Sequence, residues 1–359
     1  MKMAAIATAI TTALVSGSAL AAEVYNSDGT SLSIGGRAEF RGDFQGQESG
    51  AKLDGSMDNK SRFRINVGGE TQITNDLKGI AFYEAEQTVS TGDNGGSNSA
   101  NFDFKQRYMY AGLGTTYGDV TFGKQDSAIV QISQMSDTVT SYSGNQKTFI
   151  QAGDEQINNA INYSGYFMDA LSVKASALIS DEDSENGWAL SALYTLPMGL
   201  GFALGYAANE NPNDPSNPGY DSQDSSQIIG GVNYRWEGLY LGATYTQGSG
   251  SKKYTNNAGY IIGDNDFDGI EFVAQYRFDN NFEAVLGYQK GEIDPDNAPK
   301  YSQSDYIELT GLYYFNKSLR TYLSYKFNNI DASDEQFTDT NGNYIDADNS
   351  LRLGLRYDF

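Results

Sequence analysis

In the stretch "SRFRINVGG" Arg62 and Arg64 stand two residues apart, and in "SIGGRAEFRGDF" Arg37 and Arg41 stand four apart around Glu39. Arg107 in "QRYMYAGLG" adds a fifth arginine. Side chains of an extended chain alternate between two faces, so each pair falls on one face of a strand. Guanidinium groups aligned in this way donate hydrogen bonds and stay charged, but they are neither nucleophiles nor bases. Their chemistry is electrostatic, to hold, orient or repel ions and dipoles. The usual catalytic partners are missing, since the 359 residues include no His and no Cys. Triad hydrolases and zinc hydrolases need imidazole as base or ligand and are disfavoured; carboxylate-only catalysis stays open in principle. One acidic run invites a metal reading. "DNDFDG" places Asp264, Asp266 and Asp268 before Gly269, as in the opening of a calcium loop. The closing glutamate is missing, because Gln275 stands at the twelfth position and a strand begins at once. The run reads as a solvated acidic loop, with weak divalent binding as the alternative, and no metal or other cofactor is expected.

Strands must carry these groups. The one long apolar run, "MAAIATAITTALVSGSALAA", follows Lys2 and ends in an A-x-A site, which reads as an export signal over 1–21, cut after Ala21. With no cysteine, closure of an exported chain must come from backbone pairing. From about residue 30 onward the sequence falls into sixteen alternating segments of about ten residues, the length that crosses a bilayer when tilted. The connectors are short and long in turn, for example "PMG" and "WEG" against "ENPNDPSNPGYDSQD". One stretch, about 125–156, does not alternate. The apolar faces are nearly free of charge, Lys290 being the main exception, and aromatics sit near strand ends. In the closing "SLRLGLRYDF", Leu351 to Phe359 alternate with Arg352, Arg356 and Asp358. Together these features predict an all-β fold, a sixteen-stranded antiparallel transmembrane β-barrel over 22–359, with apolar side chains outward to lipid and polar ones inward to water. Closure leaves no exposed sheet edge.

The segments "AEVYNSDGTSLSIGGRAEF", "RINVGGETQI", "QRYMYAGLG" with "YGDVTFGKQDS", and the terminal "LRYDF" occur in the order seen in Gram-negative general diffusion porins. The whole chain after the export signal resembles that family, in its OmpU/OmpC-type group. The resemblance implies a homotrimer in the outer membrane, among lipid and lipopolysaccharide, passing ions and small hydrophilic solutes without chemistry on them. It implies that the 125–156 loop folds inward as a constriction. It places Arg37, Arg64 and Arg107 on the basic side of that constriction, with Arg62 and Arg41 beside them; alternation puts Arg37, Arg64 and Arg107 on the polar face too. Asp137 is the candidate for the acidic side, with Asp154 and Glu155 next. Two departures stand out: Gln156 occupies a position that is often Arg, and the loop reads "SQMSDTVTSYSGNQKTF" in place of a Pro-Glu-Phe-Gly-Gly stretch. Phe359 and Tyr357 resemble the signal read by the barrel-assembly machinery, or a plain aromatic belt.

The 46 acidic residues exceed the 24 basic ones, for a net charge of −22. An acidic excess in the outer loops enriches cations at the mouth, whereas the arginine row opposes them. A mild cation preference is the expectation. Alternation spreads the basic residues around a lumen, so no nucleic-acid stripe forms. A substrate-specific channel would want an aromatic track inside, but most Tyr and Phe fall on the outward faces. A receptor or adhesin barrel acting through its loops is the other alternative.

Overall fold

The computed structural model describes residues 21–45, 57–89, 104–138, 141–147, 149–180, 186–210, 224–256, 259–296, 298–331, 333–334, 345 and 348–359. The expected export signal lies, save for Ala21, outside the described residues. So does most of the sequence of the long acidic connectors.

β1 (Ala22–Ser27) and β2 (Thr30–Gln45) form a hairpin whose two turn residues, Asp28 and Gly29, have φ of 53° and 75°. Such left-handed turns match the twist of the flanking strands. β3 (Asp58–Asn59) is a short bridge on β2. The wall runs on through β4 (Arg62–Thr74), β5 (Leu77–Thr88), β6 (Lys105–Thr115) and β7 (Gly118–Gln125). It resumes after an inward excursion with β8 (Ile157–Phe167), β9 (Leu171–Leu178), β10 (Gly187–Thr195), β11 (Leu200–Asn209) and β12 (Ser225–Trp236). β13 (Leu239–Asn256), β14 (Gly259–Arg277), β15 (Phe282–Pro295), β16 (Tyr301–Tyr314), β17 (Leu319–Asn328) and β18 (Ser350–Asp358) complete it. Without β1 and β3, sixteen antiparallel strands form a closed barrel.

Closure is made by β18 on β2, from Ser350 opposite Gln45 to Asp358 opposite Arg37. Phe359 then exchanges both backbone hydrogen bonds with Gly36, at 2.8 and 3.0 Å. From Ala22 opposite Ile34, β1 takes over the lower part of β2. One edge of β2 is thus shared by β18 and β1. Along β18 the faces separate as alternation requires, with Leu353, Leu355 and Tyr357 exposed and Arg356 and Asp358 buried.

Three expectations need correction. Alternation does not carry Arg107 inward, because Met109, two residues on, is 52% exposed on the outer face. A β-bulge opposite Glu84 and Ala85 resets the phase, and the Arg107 guanidinium turns in to Glu84. "DNDFDG" is not a loop. It lies within β14, paired with β13 and then β15, and a doubly paired strand cannot wrap a cation. The apolar alternation stops where lipid stops, but the β13–β14 hairpin continues, so its outer half carried no sequence signal. Finally, Lys290 has company on the outer face. It pairs with Glu292 at 3.1 Å, and Lys300 joins Glu292 and Asp268 at 3.2 and 3.6 Å.

The segment between β7 and β8 folds into the barrel. Among its described residues are one short helix, α1 (Val130–Ser133), and two single turns, Asn145–Lys147 and Gln151–Gly153. A helix this short is not stable alone. Ile129, Ile132 and Met135 fix it by packing on Ala189, Ala207 and Ile229 of the inner wall. Glycines make the close approach feasible. A Cβ at Gly205 would sit 2.8 Å from Ile129 and Ile132, and one at Gly242 2.0 Å from the Met135 carbonyl. Ile132 is fully buried, so Ile132→Ala should weaken loop attachment by about 2–4 kcal/mol. Single-channel recordings should show added current noise, and protease should cut the loop faster, while the barrel keeps its heat-modifiable electrophoretic mobility. Quiet channels with unchanged loop proteolysis would contradict this anchoring.

Candidate functional site

β2, β4, β5 and β6 lie side by side, so their inward residues make one continuous charged surface. Arg37 stands directly opposite Arg64 across the β2–β4 pair. Like charges in that relation repel, and carboxylates on the same wall offset them. Arg62 reaches Glu39 at 2.5 Å. Arg64 donates to Glu86 at 2.6 and 2.8 Å and lies 3.4 Å from Glu84. Arg107 donates to Glu84 at 2.8 Å. Arg41 lies 3.4 Å from Glu39 and donates to the Tyr322 hydroxyl, which itself donates to Glu39 at 2.7 Å. On β18, Arg352 forks onto both oxygens of Asp43, each at 2.7 Å. All five predicted arginines therefore share one wall, interleaved with carboxylates that the sequence reading did not assign to the site. Their signal was present, since Glu39 alternates with Arg37 and Arg41, and Glu84 alternates with Glu86.

The inward loop meets this wall at its tip. Arg352 donates to the Ser141 carbonyl and lies 4.3 Å from the centre of the Tyr142 ring. Two buried glutamates from the neighbouring part of the wall also hold the tip. Glu271 on β14 accepts the Gly144 amide at 3.0 Å, and Glu308 on β16 accepts the Tyr142 amide. Nothing in "GIEFVAQ" or "YIELTG" aims these side chains at a segment more than a hundred residues earlier.

The predicted acidic residues of the loop face one another. Lys147 joins Asp137 at 2.7 Å and Glu155 at 2.8 Å, and Ser143 also donates to Asp137. Asp154 accepts the Glu155 amide at 2.7 Å. Gln156, at φ 56°, donates its amide to Asp126. Burial works against the Lys147 ammonium, but Asp137 and Glu155 raise it well above the ordinary lysine range. The loop thus carries one cation inside its acidic patch, and the wall carries acids inside its basic one. Such a surface orients water and polar solutes, and it leaves no group poised for covalent chemistry. Tyr306 and Tyr322 face the lumen, as alternation with Glu308 and Ser324 requires, and the bulge turns Tyr108 inward as well. Among the described residues, no cluster of three or more His, Cys, Asp or Glu is arranged to hold a metal.

Replacing Lys147 by Gln releases two carboxylates into the lumen. The cation-to-anion permeability ratio should rise by a factor of about 2 or more, read as a reversal potential under a salt gradient; an unchanged potential would show that these acids do not act on permeant ions. A second prediction concerns the loop stem. Burial, then Glu155, push the Asp126 carboxyl up to about 6. The folded chain holds this proton through a range where the unfolded chain, with an ordinary value of 3.8, has released it. Stability from this group therefore falls as pH rises from about 4 to 6 and is level above. Asp126→Asn should gain on the wild type across that window, by on the order of 1–3 kcal/mol in denaturant unfolding. A difference that stays constant with pH would refute it.

The Gram-negative porin family model matches residues 4–333 of this chain. Outer membrane protein U of Vibrio vulnificus is 34% identical over 374 residues, covering 100% of both chains. Among solved structures, Salmonella typhi OmpF in complex with daunomycin superposes with a TM-score of 0.80 at 20% identity, over 94% of this chain and 100% of that one. The trimer form of Vibrio cholerae OmpT superposes with a TM-score of 0.65 at 15% identity, over 92% and 100%. With a closed sixteen-stranded wall, an apolar outer face and an inward loop against a charged lumen, the chain belongs to the Gram-negative porin family, outer-membrane barrels that form channels and are not enzymes.

Proposed function

We propose that this porin is a general diffusion pore with a mild cation preference, passing ions and small hydrophilic solutes past the inward loop. The observation that carries the selectivity is the pairing along the wall. Arg62, Arg64, Arg107 and Arg352 each hydrogen-bond a carboxylate of Glu39, Glu86, Glu84 or Asp43. A guanidinium matched in this way exerts a much weaker field on a passing anion than a free one. The net charge of −22 then decides the sign. In this reading Arg37, Arg41, Arg62, Arg64 and Arg107 line the basic side of the passage, while Asp137, Asp154 and Glu155 line the other side together with Lys147.

We further propose that residues 1–21 are removed on export and that the mature chain assembles as a homotrimer. The apolar outer face supports this, as does the trimeric form of the solved relative. Lipid and lipopolysaccharide then surround the rest of the outer face. Phe359 stacks with both Tyr357 and Phe63 and completes the seam in backbone hydrogen bonds, which suits a residue recognised by the barrel-assembly machinery at closure.

Planar-bilayer recording tests the reading. Conductance should appear in steps of three, with a reversal potential favouring cations that shrinks as salt rises, because screening shortens the reach of surface charge to about 8 Å at physiological ionic strength. An anion-favouring potential would hand selectivity to the arginines. Folded protein that does not conduct would overturn the pore.

A further inference from the structure

Lower on the same wall the charge pairing breaks down. Arg37 on β2, Arg320 on β17 and Arg356 on β18 converge on one carboxylate, that of Asp358. Arg356 bonds it at 2.7 Å, whereas Arg37 and Arg320 approach only to 3.6 Å. Arg37 is 8% exposed, and among the described residues neither its guanidinium nor that of Arg320 comes closer than 3.6 Å to a carboxylate. The Arg320 Nε is buried with no partner. Beside them, Arg277 lies 3.3 Å from the centre of the Tyr314 ring, and Arg320 lies 5.6 Å from the same ring. Glu283 lies 3.5 Å from Arg277, and Glu39, already bonded by Arg62 and the Tyr322 hydroxyl, stands opposite Arg356 across the β2–β18 pair. Four guanidinium groups thus share Asp358, Glu283 and a Glu39 already engaged by Arg62, and two of the four have unused donors. This differs from the upper wall, where each arginine has a hydrogen-bonded carboxylate.

Buried positive charge without a counter-charge is costly. A guanidinium fork matches an oxyanion in both geometry and charge. We propose that the lumen carries a small-oxyanion site between Arg37, Arg320 and Arg356, at the end where the strands join by short turns. Its ligand is phosphate, or the carboxylate of a small solute. Arg37 and Arg356 form one side, Arg320 with its buried, unpartnered Nε forms the other, and Asp358 competes with the ligand for all three. Anionic solutes that pass the inward loop then pause at this second position.

The proposal rests on a water-filled lumen, but its test does not need conductance. Binding of inorganic phosphate to the folded protein in detergent is measured by calorimetry at constant ionic strength, with acetate as the second arm. Saturable phosphate binding is expected, weakened at least tenfold in Arg320→Gln and tightened in Asp358→Asn, which removes the competitor. Tightening is a change that mere destabilisation would not produce. Should either variant fail to fold, Arg320→Lys keeps the charge, loses the fork and should weaken binding several-fold. Acetate binding with the same response to the variants would identify a carboxylate as the ligand. Phosphate that does not saturate, or affinity indifferent to these substitutions, would overturn the site. A chain that binds phosphate but does not conduct would overturn only the pore, and one that conducts without binding would overturn only the site.

Discussion

Hydrocarbon offers no hydrogen-bond partners, so every backbone amide and carbonyl of a membrane-crossing sheet must find its partner within the protein. In this chain that constraint reaches its hardest point at the seam. β18 ends at Asp358, Phe359 bonds Gly36, and β1 continues along β2 from Ala22. β1 and the terminal β18 meet on one strand, and without either of them part of β2 would face lipid unpaired. Closure also sets the direction of every side chain, because a strand with both neighbours paired has one face to lipid and one to the lumen.

The lumen inherits its charge from that alternation, and the low dielectric of the wall makes pairing more important than number. Arg37 and Arg64 are forced into register across β2 and β4. The repulsion is offset by Glu86 and Glu84 from β5 and by Asp358 from β18, residues far apart in the chain. Where β2 and β5 deliver two carboxylates each, the arginines are satisfied; where β17 and β18 deliver two arginines and one aspartate, they are not. The difference between a screened wall and an anion site is therefore one of local stoichiometry.

The inward loop narrows a passage that strands alone would leave wide. Its one helical turn has little stability of its own, and its position comes from Ile129, Ile132 and Met135 seated on a wall cleared by Gly205 and Gly242. Glu271, Glu308 and Arg352 then fix the tip largely through backbone groups, with the Tyr142 ring against Arg352 as a side-chain contact. A tip held largely by its backbone has more freedom to vary in sequence. This is why the departure from a Pro-Glu-Phe-Gly-Gly stretch leaves the architecture intact.

The sequence alone determined the class of fold, the number of wall strands and the extent of the loop, expected at about 125–156 and found between Gln125 and Ile157. These follow from a periodicity of two and from connector lengths, which are local properties. It also identified the inward arginines, although Arg107 reaches its place through a bulge that strict alternation does not contain. The acidic run in β14 was misread because alternation reports contact with lipid, and a strand that rises above the membrane has water on both sides. Only the tertiary structure decided how charge is matched. Lys147 between Asp137 and Glu155, Glu84 between Arg64 and Arg107, and Asp358 beneath three arginines all join residues distant in sequence. Such pairs depend on barrel register and loop docking. Those are set by the summed packing of the whole closed sheet, and no single segment encodes them.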